Sequence, residues 1–449
     1  MSNTKITDKQ KVKTMADSDY VFGNFGGKVG QMSIPDFRSH LNDNDSQVLN
    51  DVAFYIDVNS ASSLGSTRVD TGGNLHMRAM LEASEVDALM DKNGNYAELN
   101  PNDCRYAKEG EAIVDMNTGE ILPKWVNADI VRIIPQYYGR VQTVQAGSNI
   151  ILRSWFSLVP LPNGYVIPQM VVGKFKASRV DGAMRSLPNK TPDNGVTINN
   201  FWNYAQARSK NHGLANLDFR NHLLFHMMAK YGYRDSQNCK GNDGTPVWGV
   251  GLDGTESGES FDGEKTIKTG ATLSLGKYDG KVAVTAAGGH TCHSVNVDGF
   301  ENPWGQYWEM VQGLCSVGTD VYCWRSNVMP TGTPTASTFA NIDHVVLRRP
   351  TSAVWAMNVI SSENGQGTYM IPRESADGIS YGDNFYYADA GQLWLFGGCS
   401  DDDSDCGLAY ATSSSAWSYS DSYSYISARL AYYGEVNKVS AARLAELLA

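Results

Sequence analysis

The sequence has no run of apolar residues long enough to cross a membrane and no cluster of lysines and arginines. A spanning helix needs about 20 predominantly apolar residues, so we expect no membrane insertion. The net charge of -11 also argues against nucleic acid as a partner, because proteins that bind it present basic patches to the phosphates. The first residues, MSNTKITDKQKVK, lack the apolar segment of a secretory signal peptide. We therefore expect synthesis in the cytoplasm, without export by that route.

Paired cysteine motifs are also missing. The cysteines are odd in number, scattered along the chain and without a CxxC spacing, so neither a zinc ribbon nor a disulfide framework is indicated. Reduced thiols are the expected state. No internal repeat with a period of about 20 to 50 residues is present, which argues against solenoids and propellers.

What the sequence does contain indicates an α+β protein with more strand than helix. Its 449 residues suffice for about two or three domains, and its 44 glycines predict many turns. Strand-like apolar runs, among them VAFYIDV, ADIVRII and YVIPQMVVGKF, alternate with turn signals such as DKNGN. We predict an N-terminal attachment arm at 1–50, a β-rich domain at 51–185, a ligand-binding domain at 186–435 and a short C-terminal helix at 436–449.

Two helices are predicted after residue 185. The first covers 198–208. The second covers 216–231, where apolar residues such as Leu224 and Met228 recur at helical spacing. Gly232 follows it as a suitable C-cap residue.

Strands are predicted at 273–275, 392–396 and 426–433. Alternation along the last strand divides it into two faces. The face predicted to lie in the core carries Ile426, Ala428, Leu430 and Tyr432, and the opposite face carries Ser427, Arg429, Ala431 and Tyr433.

The stretch from Cys399 to Tyr425 is set apart by the residue types that it omits. Its 27 residues include nine Ser, five Asp and four Tyr, but no Lys, Arg, Glu, Gln or Met. Tyr supplies a large contact area with few rotamers to freeze, and Ser and Asp supply adaptable hydrogen bonds. A disordered linker would lack aromatic residues. The composition therefore predicts an ordered binding surface.

Several segments, taken in order, resemble a known family. The helix at 216–231 is followed by a Gly-rich insertion, then by VDGFENPWGQYWEMVQGL, LWLFGG, the Ser/Tyr/Asp-rich stretch and ISARLAYYG. Together they resemble the C-type-lectin-like domain of variable proteins encoded by diversity-generating retroelements and of related phage receptor-binding proteins. In that family the segment that matches Ala428, Arg429 and Leu430 is the last core strand. The resemblance implies a C-type-lectin-like fold, which formylglycine-generating enzymes share.

The resemblance gives the missing residue types a second meaning. Members of this family are diversified by randomising adenines, mostly in Asn codons, which yields Asn, Ser, Tyr, Asp and Ala among others but cannot yield Lys, Glu, Gln, Met or Trp. The stretch obeys this restriction except at Trp417, which would be a fixed scaffold residue. The segment DSDYVFGNFGGKVGQMSIPDF is similar to the start of phage tail or fibre proteins. These likenesses imply a non-enzymatic receptor-binding protein of a phage virion.

The same resemblance implies the partners and the site. A variable surface at about 381–425, held by Trp394 and Trp417, would bind a host cell-surface protein or glycan, while the arm contacts other virion proteins. We expect a homotrimer, because fibre-tip relatives are trimers and multivalency turns weak contacts into avidity. No cofactor and no catalytic residue is expected. The predicted ligand-binding residues are Tyr386, Tyr387, Asp389, Ser400, Asp401, Asp402, Asp403, Tyr410, Ser413, Ser415, Ser418, Tyr419, Asp421, Tyr423 and Tyr425.

Two groups of residues are candidate metal ligands. His222 and His226 stand at i, i+4 on the predicted helix, and His290, Cys292 and His293 form a second group. The first spacing can bind a metal ion, but no Glu follows His222 to complete an HExxH motif. We interpret both groups as ordinary hydrogen-bonded side chains and expect no metal site.

Calcium is also not expected. The acidic run at 401–405 lacks the spacing of an EF-hand and its bidentate Glu. The segment Glu-Asn-Pro at 301–303 has the wrong order for the Glu-Pro-Asn of calcium-dependent sugar-binding lectins. Its neighbours Trp304 and Trp308 indicate buried packing instead.

Two alternative functions remain open. Cys399 and Cys406 lie in a region that resembles the formylglycine-generating enzymes, which use a cysteine pair, so a copper or thiol oxidase is the enzymatic alternative. The absence of a surrounding Lys, Arg or His cluster that would activate a thiol argues against it. The other alternative is a structural virion protein without a receptor of its own.

Overall fold

The computed structural model of the chain describes residues 20–25, 28–33, 46–59, 69–146, 149–233, 235–237, 239–248, 267–286, 289, 291–348, 360–361, 368–369, 385–388, 392–399, 406–414 and 418–449. The α-helices among them are α1 (Ser46–Val52), α2 (Leu75–Ser84), α3 (Ile198–Arg208), α4 (Leu217–Tyr231) and α5 (Ala441–Leu448). Short 3₁₀ helices cover Pro123–Trp125, Leu273–Leu275 and Ala336–Phe339. None of these described helices is long and apolar enough to cross a membrane.

Strands are more numerous than helices. Those in the first half of the chain are β1 (Tyr20–Phe25), β2 (Lys28–Ser33), β3 (Phe54–Asn59), β4 (Asp70–Gly73), β5 (Val86–Met90), β6 (Asn95–Asn100), β7 (Asp103–Ala107), β8 (Asp129–Ile134), β9 (Tyr137–Ala146), β10 (Asn149–Ser157), β11 (Tyr165–Ile167), β12 (Met170–Lys176), β13 (Ser178–Val180), β14 (Ala183–Arg185) and β15 (His212–Leu214). Those in the second half are β16 (Gly280–Thr285), β17 (Thr291–Val297), β18 (Phe300–Glu301), β19 (Trp308–Met310), β20 (Leu314–Val317), β21 (Asp320–Cys323), β22 (Val345–Arg348), β23 (Ile360–Ser361), β24 (Thr368–Tyr369), β25 (Phe385–Ala388), β26 (Leu395–Phe396), β27 (Ala411–Ser414), β28 (Ile426–Tyr432) and β29 (Asn437–Lys438). The predicted α+β class is confirmed at this level: many strands in several sheets, with few helices.

One large sheet joins the two halves of the chain. Its strand order is β25-β27-β26-β19-β28-β12-β8-β5-β6-β29, and β15 and β7 pair with β28 and β6 beside this path. Strand β12 pairs antiparallel with β28, Val172 opposite Ala431. Strands on both sides of residue 185 therefore hydrogen-bond in the same sheet. The predicted boundary between 51–185 and 186–435 does not separate two sheets, because the chain returns to the first one.

Strand β28 lies in the middle of this sheet. The residues predicted to face the core, including Ala428 and Leu430, are buried as expected. The opposite face is buried as well, because β28 has other strands on both sides and covered faces above and below. Arg429 on that face is fully buried and forms an ion pair with buried Glu309 at 3.2 Å.

Helix α4 is the central helix of the fold and confirms the prediction for 216–231. The Asn216 side chain accepts a hydrogen bond from the Phe219 backbone at its start, and Gly232 ends it in the left-handed conformation at φ 70°. Its residues from Leu217 through Ala229 are all buried. The helix therefore lies inside the molecule rather than on its surface. Phe225 packs against Phe156 of the sheet β11-β9-β10-β3-β4, with ring centroids 4.8 Å apart.

The strand predicted at 273–275 is wrong. These residues form a 3₁₀ helix, because the Glu301 carboxylate accepts hydrogen bonds from the backbone of Gly270 and Thr272 and fixes the preceding turn. Gly276 then ends the turn at φ 61°. In the sequence, Leu273 and Leu275 on either side of Ser274 resemble the alternation of a strand. The hydrogen-bonded turn before them determines their conformation instead.

Other predicted boundaries were partly right. Helix α3 occurs where it was predicted, and α5 covers only the second part of the helix predicted at 436–449, because Asn437–Lys438 form β29. Only Leu395–Phe396 of the strand predicted at 392–396 forms a strand. The predicted arm at 1–50 contains the paired strands β1 and β2, but its end cuts through α1, where Leu49 is buried. The arm boundary therefore belongs before α1.

Candidate functional site

The described part of the predicted binding surface ends in residues 418–425, which we call the surface segment. Its backbone is fixed to the core at its C-terminal end. The Trp308 N–H donates to the Tyr425 carbonyl at 2.8 Å, and the Gly195 N–H donates to the Tyr423 carbonyl at 3.0 Å. Trp308 begins β19, which pairs in parallel with β28. The core strands therefore determine where this segment lies.

The surface segment presents small polar side chains and two tyrosines. Ser420, Ser422 and Ser424 are exposed, and Tyr423 and Tyr425 are half-buried. The two tyrosine rings stack with centroids 5.3 Å apart and an interplanar angle of 19°. Of the predicted ligand-binding residues, Ser418 and Asp421 lie half-buried in the same segment. An aromatic pair beside hydroxyls and a carboxylate can contact a ligand through both apolar area and hydrogen bonds.

Three of the predicted ligand-binding residues lie in the core instead of on the surface. Tyr410, Ser413 and Tyr419 are buried, so the prediction that they face a ligand is wrong. Tyr410 packs on Trp308 with ring centroids 4.5 Å apart, and the Tyr419 hydroxyl donates to the Leu314 carbonyl at 3.3 Å. Both tyrosines belong to the buried apolar cluster that also contains Trp308 and Leu430.

The remaining predicted residues are only partly described. Tyr386 and Tyr387 lie in β25, which is the end strand of the large sheet and pairs in parallel with β27. Trp394 is buried, as predicted, and its indole N–H donates to the Ser316 hydroxyl at 2.8 Å. Outside the described residues lie Asp389, Ser400, Asp401, Asp402, Asp403, Ser415 and Trp417.

A second site lies inside the molecule. Glu85, His222, His226 and Asp298 each aim one atom at a common point, and these four atoms all lie within 4.8 Å of one another. His222 Nε2 is 3.3 Å from Glu85 Oε1 and 3.2 Å from Asp298 Oδ2. His226 Nδ1 is 3.6 Å and 3.5 Å from the same two oxygens. We call these residues the His–carboxylate cluster.

Three separate parts of the chain build this cluster. Glu85 follows α2 directly and begins the extended chain into β5. His222 and His226 lie one turn apart on α4. Asp298 and Gly299 form the two-residue turn between β17 and β18, with φ of 47° and 77°. Positive φ at both positions is typical of a type I′ hairpin turn, for which Asp-Gly is a preferred sequence.

A second layer of polar groups holds the cluster. Arg132 of β8 donates to Glu85 Oε2 at 2.7 Å and to Asp298 Oδ1 at 3.2 Å, which are the carboxylate oxygens that point away from the histidines. The Tyr137 hydroxyl lies 3.0 Å from His222 Nδ1. A Cβ at position 299 would come within 2.6 Å of the Arg132 guanidinium, so glycine is required there. Each of these contacts orients a cluster side chain.

Burial and neighbouring charges shift the pKa values of His222 and Asp298 in opposite directions. Burial alone would lower the pKa of His222, but the charge of Glu85 and the hydrogen bond to Asp298 raise it to about 9. Burial alone would raise the pKa of Asp298, yet the Arg132 charge and the neighbouring histidines hold it well below its usual range. Asp298 therefore stays ionised, and His222 carries a proton at neutral pH when no metal ion is bound.

One side-chain atom of Glu85 and one of His226 lack hydrogen-bond partners among the described residues. Glu85 Oε1 and His226 Nε2 are both buried and accept or donate no hydrogen bond. Sequence reasoning found the two histidines but missed both carboxylates. The Asp-Gly pair inside VDGF was a usable signal for Asp298, since it marks a hairpin turn. No local signal pointed to Glu85, which tertiary structure alone brings to α4.

Asn302 and the pair Cys399 and Cys406, which the sequence also suggested as site residues, make contacts inside the fold. The Asn302 side chain accepts a hydrogen bond from the Val295 backbone at 2.9 Å, inside the core beside buried Trp304. Cys399 and Cys406 are buried, and the Cys406 thiol donates to the Cys399 carbonyl at 3.2 Å. Asn302, Cys399 and Cys406 are therefore not presented to solvent.

The surface segment and the His–carboxylate cluster are thus the two places where described residues combine chemistry with a defined geometry. Comparison with known proteins adds no function to either of them. No protein-family model matches the chain, and no curated protein matches it.

Proposed function

We propose that this protein is a receptor-binding protein of a phage virion, which displays a variable Ser/Tyr/Asp-rich surface on a C-type-lectin-like scaffold to bind a protein or glycan on the host cell. The observation that carries the proposal is the surface segment. It combines stacked, half-buried Tyr423 and Tyr425 with exposed serines, on a backbone fastened to buried strands.

The order of elements supports the finer fold assignment. Helix α4, the hairpin of β17 and β18, and the closing strand β28 follow one another as the resemblance implies. The surface segment leads directly into β28, whose residues are all buried. A scaffold of this kind tolerates exchange of exposed side chains, because substitutions on a surface away from the core usually change stability by less than about 0.5 kcal/mol.

The test is binding of the purified chain to a panel of intact bacterial cells. A double variant, Tyr423→Ala with Tyr425→Ala, should weaken binding to the cells that the unaltered chain recognises by about tenfold or more, since aromatic anchors commonly dominate binding energy. Tyr278→Ala is the matched control, because Tyr278 is 53% exposed and lies outside the surface segment. Equal binding by the double variant and the control would contradict the proposal.

The same experiment separates the alternatives. A structural virion protein would bind none of the cells. An oxidase of the formylglycine-generating type would oxidise a cysteine-containing peptide in the presence of copper and would lose that activity in Cys399→Ser. Burial of both Cys399 and Cys406 argues against this activity, because a reactive thiol has to meet its substrate.

A homotrimer is part of the proposal, since several weak contacts from one particle add up to avidity. Light scattering at micromolar concentration should give the mass of three chains. A monomer mass under these conditions would remove this part of the proposal and leave the binding surface to be judged by the cell assay.

A further inference from the structure

We propose that Glu85, His222, His226 and Asp298 bind one divalent transition-metal ion, with zinc as the favoured ion, and that this ion joins three distant parts of the chain. The site is independent of the proposed receptor binding. It rests on the geometry of the His–carboxylate cluster, on its burial and on the chemistry of its four donors.

Four of the six separations between the donor atoms fit a tetrahedral ion. Zinc is bound by imidazole nitrogens and carboxylate oxygens at about 2.0–2.2 Å, and the edges of a tetrahedron with such bonds are about 3.3–3.6 Å long. The four measured nitrogen-to-oxygen separations are 3.3, 3.2, 3.6 and 3.5 Å. Each histidine is thus equally placed between the same two carboxylate oxygens.

Direct hydrogen bonding explains this spacing less well. Hydrogen bonds between nitrogen and oxygen are commonly about 2.7–3.2 Å long, and charge-assisted ones are shorter. Both separations from His226 are longer than that, and Glu85 Oε1 accepts no hydrogen bond although it is buried. An ion at the centre would satisfy all four atoms at once.

The donor set selects the class of ion. Two imidazoles favour zinc, copper, iron or nickel over magnesium and calcium, which prefer oxygen ligands alone. The four nitrogen-to-oxygen separations favour zinc among these, because zinc in structural sites is four-coordinate and tetrahedral. Because four protein atoms fill the coordination sphere and the side chains of Glu85 and His222 are fully buried, the site has the closed character of a structural metal centre.

The surrounding groups support ligation. Ligating histidines usually use their second nitrogen in a hydrogen bond that fixes the ring, and ligating carboxylates are themselves hydrogen-bonded. Tyr137 contacts His222 Nδ1, and Arg132 holds the outer oxygens of Glu85 and Asp298. The inner oxygens, Glu85 Oε1 and Asp298 Oδ2, are therefore left facing the two histidines. Binding the ion requires release of the His222 proton, since only neutral imidazole ligates a metal.

The consequence is a cross-link between segments that the sequence assigns to different domains. Glu85 belongs to the region before residue 185, whereas the two histidines and Asp298 belong to the region after it. An ion at the centre would fasten the end of α2 and the β17–β18 turn to helix α4. Removal of the ion should then loosen the contact between these regions.

The experiment is metal analysis of the full-length chain after exposure to zinc and removal of free metal by gel filtration. The unaltered chain should retain one zinc ion per molecule, and a strong chelator should lower its melting temperature until zinc is restored. Glu85→Gln and His226→Gln keep the side-chain volume but remove a donor, and each should weaken zinc binding by about tenfold or more. His76→Gln on the exposed face of α2 is the matched control and should retain zinc fully.

Cobalt substitution of the unaltered chain tests the site without any variant. Tetrahedral ligation by nitrogen and oxygen gives strong visible d–d absorption without the near-ultraviolet charge-transfer band of a thiolate. The proposal is overturned if the unaltered chain retains no ion, if a thiolate band appears, or if folded Glu85→Gln and His226→Gln bind zinc as well as the control. In the first case the contacts of His222 and Arg132 with Glu85 and Asp298 hold the cluster together without a metal.

Discussion

Tyr419 and Tyr423 both belong to the surface segment, but only Tyr419 is inside the core, where it is 2% exposed. Replacing Tyr419 with Ala should therefore lower the free energy of unfolding by about 3–5 kcal/mol, as expected when a buried aromatic ring leaves a cavity. Urea denaturation followed by fluorescence measures this change. The result would correct the sequence-based expectation that Tyr419 serves binding rather than stability.

Tyr423→Ala is the matched comparison within the same segment. Tyr423 is half-buried, so its loss should cost less than half of the free energy lost in Tyr419→Ala. A stable Tyr419→Ala protein with weakened cell binding would instead restore Tyr419 as a contact residue. Equal destabilisation by both substitutions would show that the whole segment is part of the core.

His212 should make the fold sensitive to mild acid. It is completely buried, and this burial, together with the charges of Arg208 and Arg185, lowers its pKa to about 4 despite the opposing charge of Asp129. In the unfolded chain the pKa is near 6.5. Between these values the unfolded state binds a proton that the folded state refuses, so stability falls as the pH falls. From pH 7 to pH 5 the loss attributable to His212 should be about 2 kcal/mol.

The check is the urea midpoint at both pH values for the unaltered chain and for His212→Gln. Gln can still bond Ser209, which lies 2.7 Å from His212 Nδ1, but it does not titrate. The variant should lose less stability than the unaltered chain between pH 7 and pH 5. Parallel losses in the two proteins would mean that His212 is protonated in the folded state or that other groups dominate the acid response.

At the scale of elements, helix α5 offers a test with a built-in control. Leu444 is fully buried in a cluster with residues such as Leu99 and Trp125, whereas Leu447 on the same helix is 40% exposed. Leu444→Ala should lower the free energy of unfolding by about 2–4 kcal/mol, and Leu447→Ala by less than about 1 kcal/mol. Calorimetric melting of both variants measures the difference. Similar small effects would show that α5 is an appendage rather than part of the core.

Elements with strong local signals were predictable from the sequence. Helix α4 has apolar residues at helical spacing and a Gly at its C-cap, and both act as expected. The strand β28 was also found, but not the burial of Arg429, because alternation identifies two faces without saying whether both are covered. The 3₁₀ helix Leu273–Leu275 was missed because a distant carboxylate, that of Glu301, shapes its turn.

In the candidate sites, too, residues with a local sequence signal were predictable and residues placed by distant contacts were not. The serines and the two half-buried tyrosines of the surface segment were chosen from composition, which reports residue type but not depth; this is why Tyr410 and Tyr419 were placed wrongly. For the His–carboxylate cluster, helical spacing paired His222 with His226. Nothing local could bring Glu85 or Asp298 to them, since these residues arrive from other strands and turns.

At the scale of the whole molecule, the large sheet contains strands from both sides of residue 185. Strand β12 donates and accepts backbone hydrogen bonds with β28, and Arg429 of β28 donates to the Gly173 and Lys174 carbonyls at 3.2 and 2.7 Å. The central helix α4 packs on Phe156 from the other side of the boundary. The region that resembles a C-type-lectin-like domain therefore shares its core with the region before it.

The last prediction follows from this shared core. A fragment of residues 186–449 lacks β12, β8 and β5, so β28 loses a hydrogen-bonding neighbour. Arg429 keeps its ion pair with Glu309 but loses two carbonyl partners and the strand that covers it. The fragment should show no cooperative thermal transition by circular dichroism and should bind the dye ANS, as a chain without fixed packing does.

A chain that lacks residues 1–45 is the matched deletion, because it keeps α1 with buried Leu49 and every strand of the large sheet. It should melt cooperatively within a few degrees of the full chain, on the scale that about 1 kcal/mol shifts a large domain by about 2–4 °C. A sharp transition in the 186–449 fragment would contradict the shared core, since a region that melts cooperatively alone must close its own sheet and satisfy Arg429 without β12.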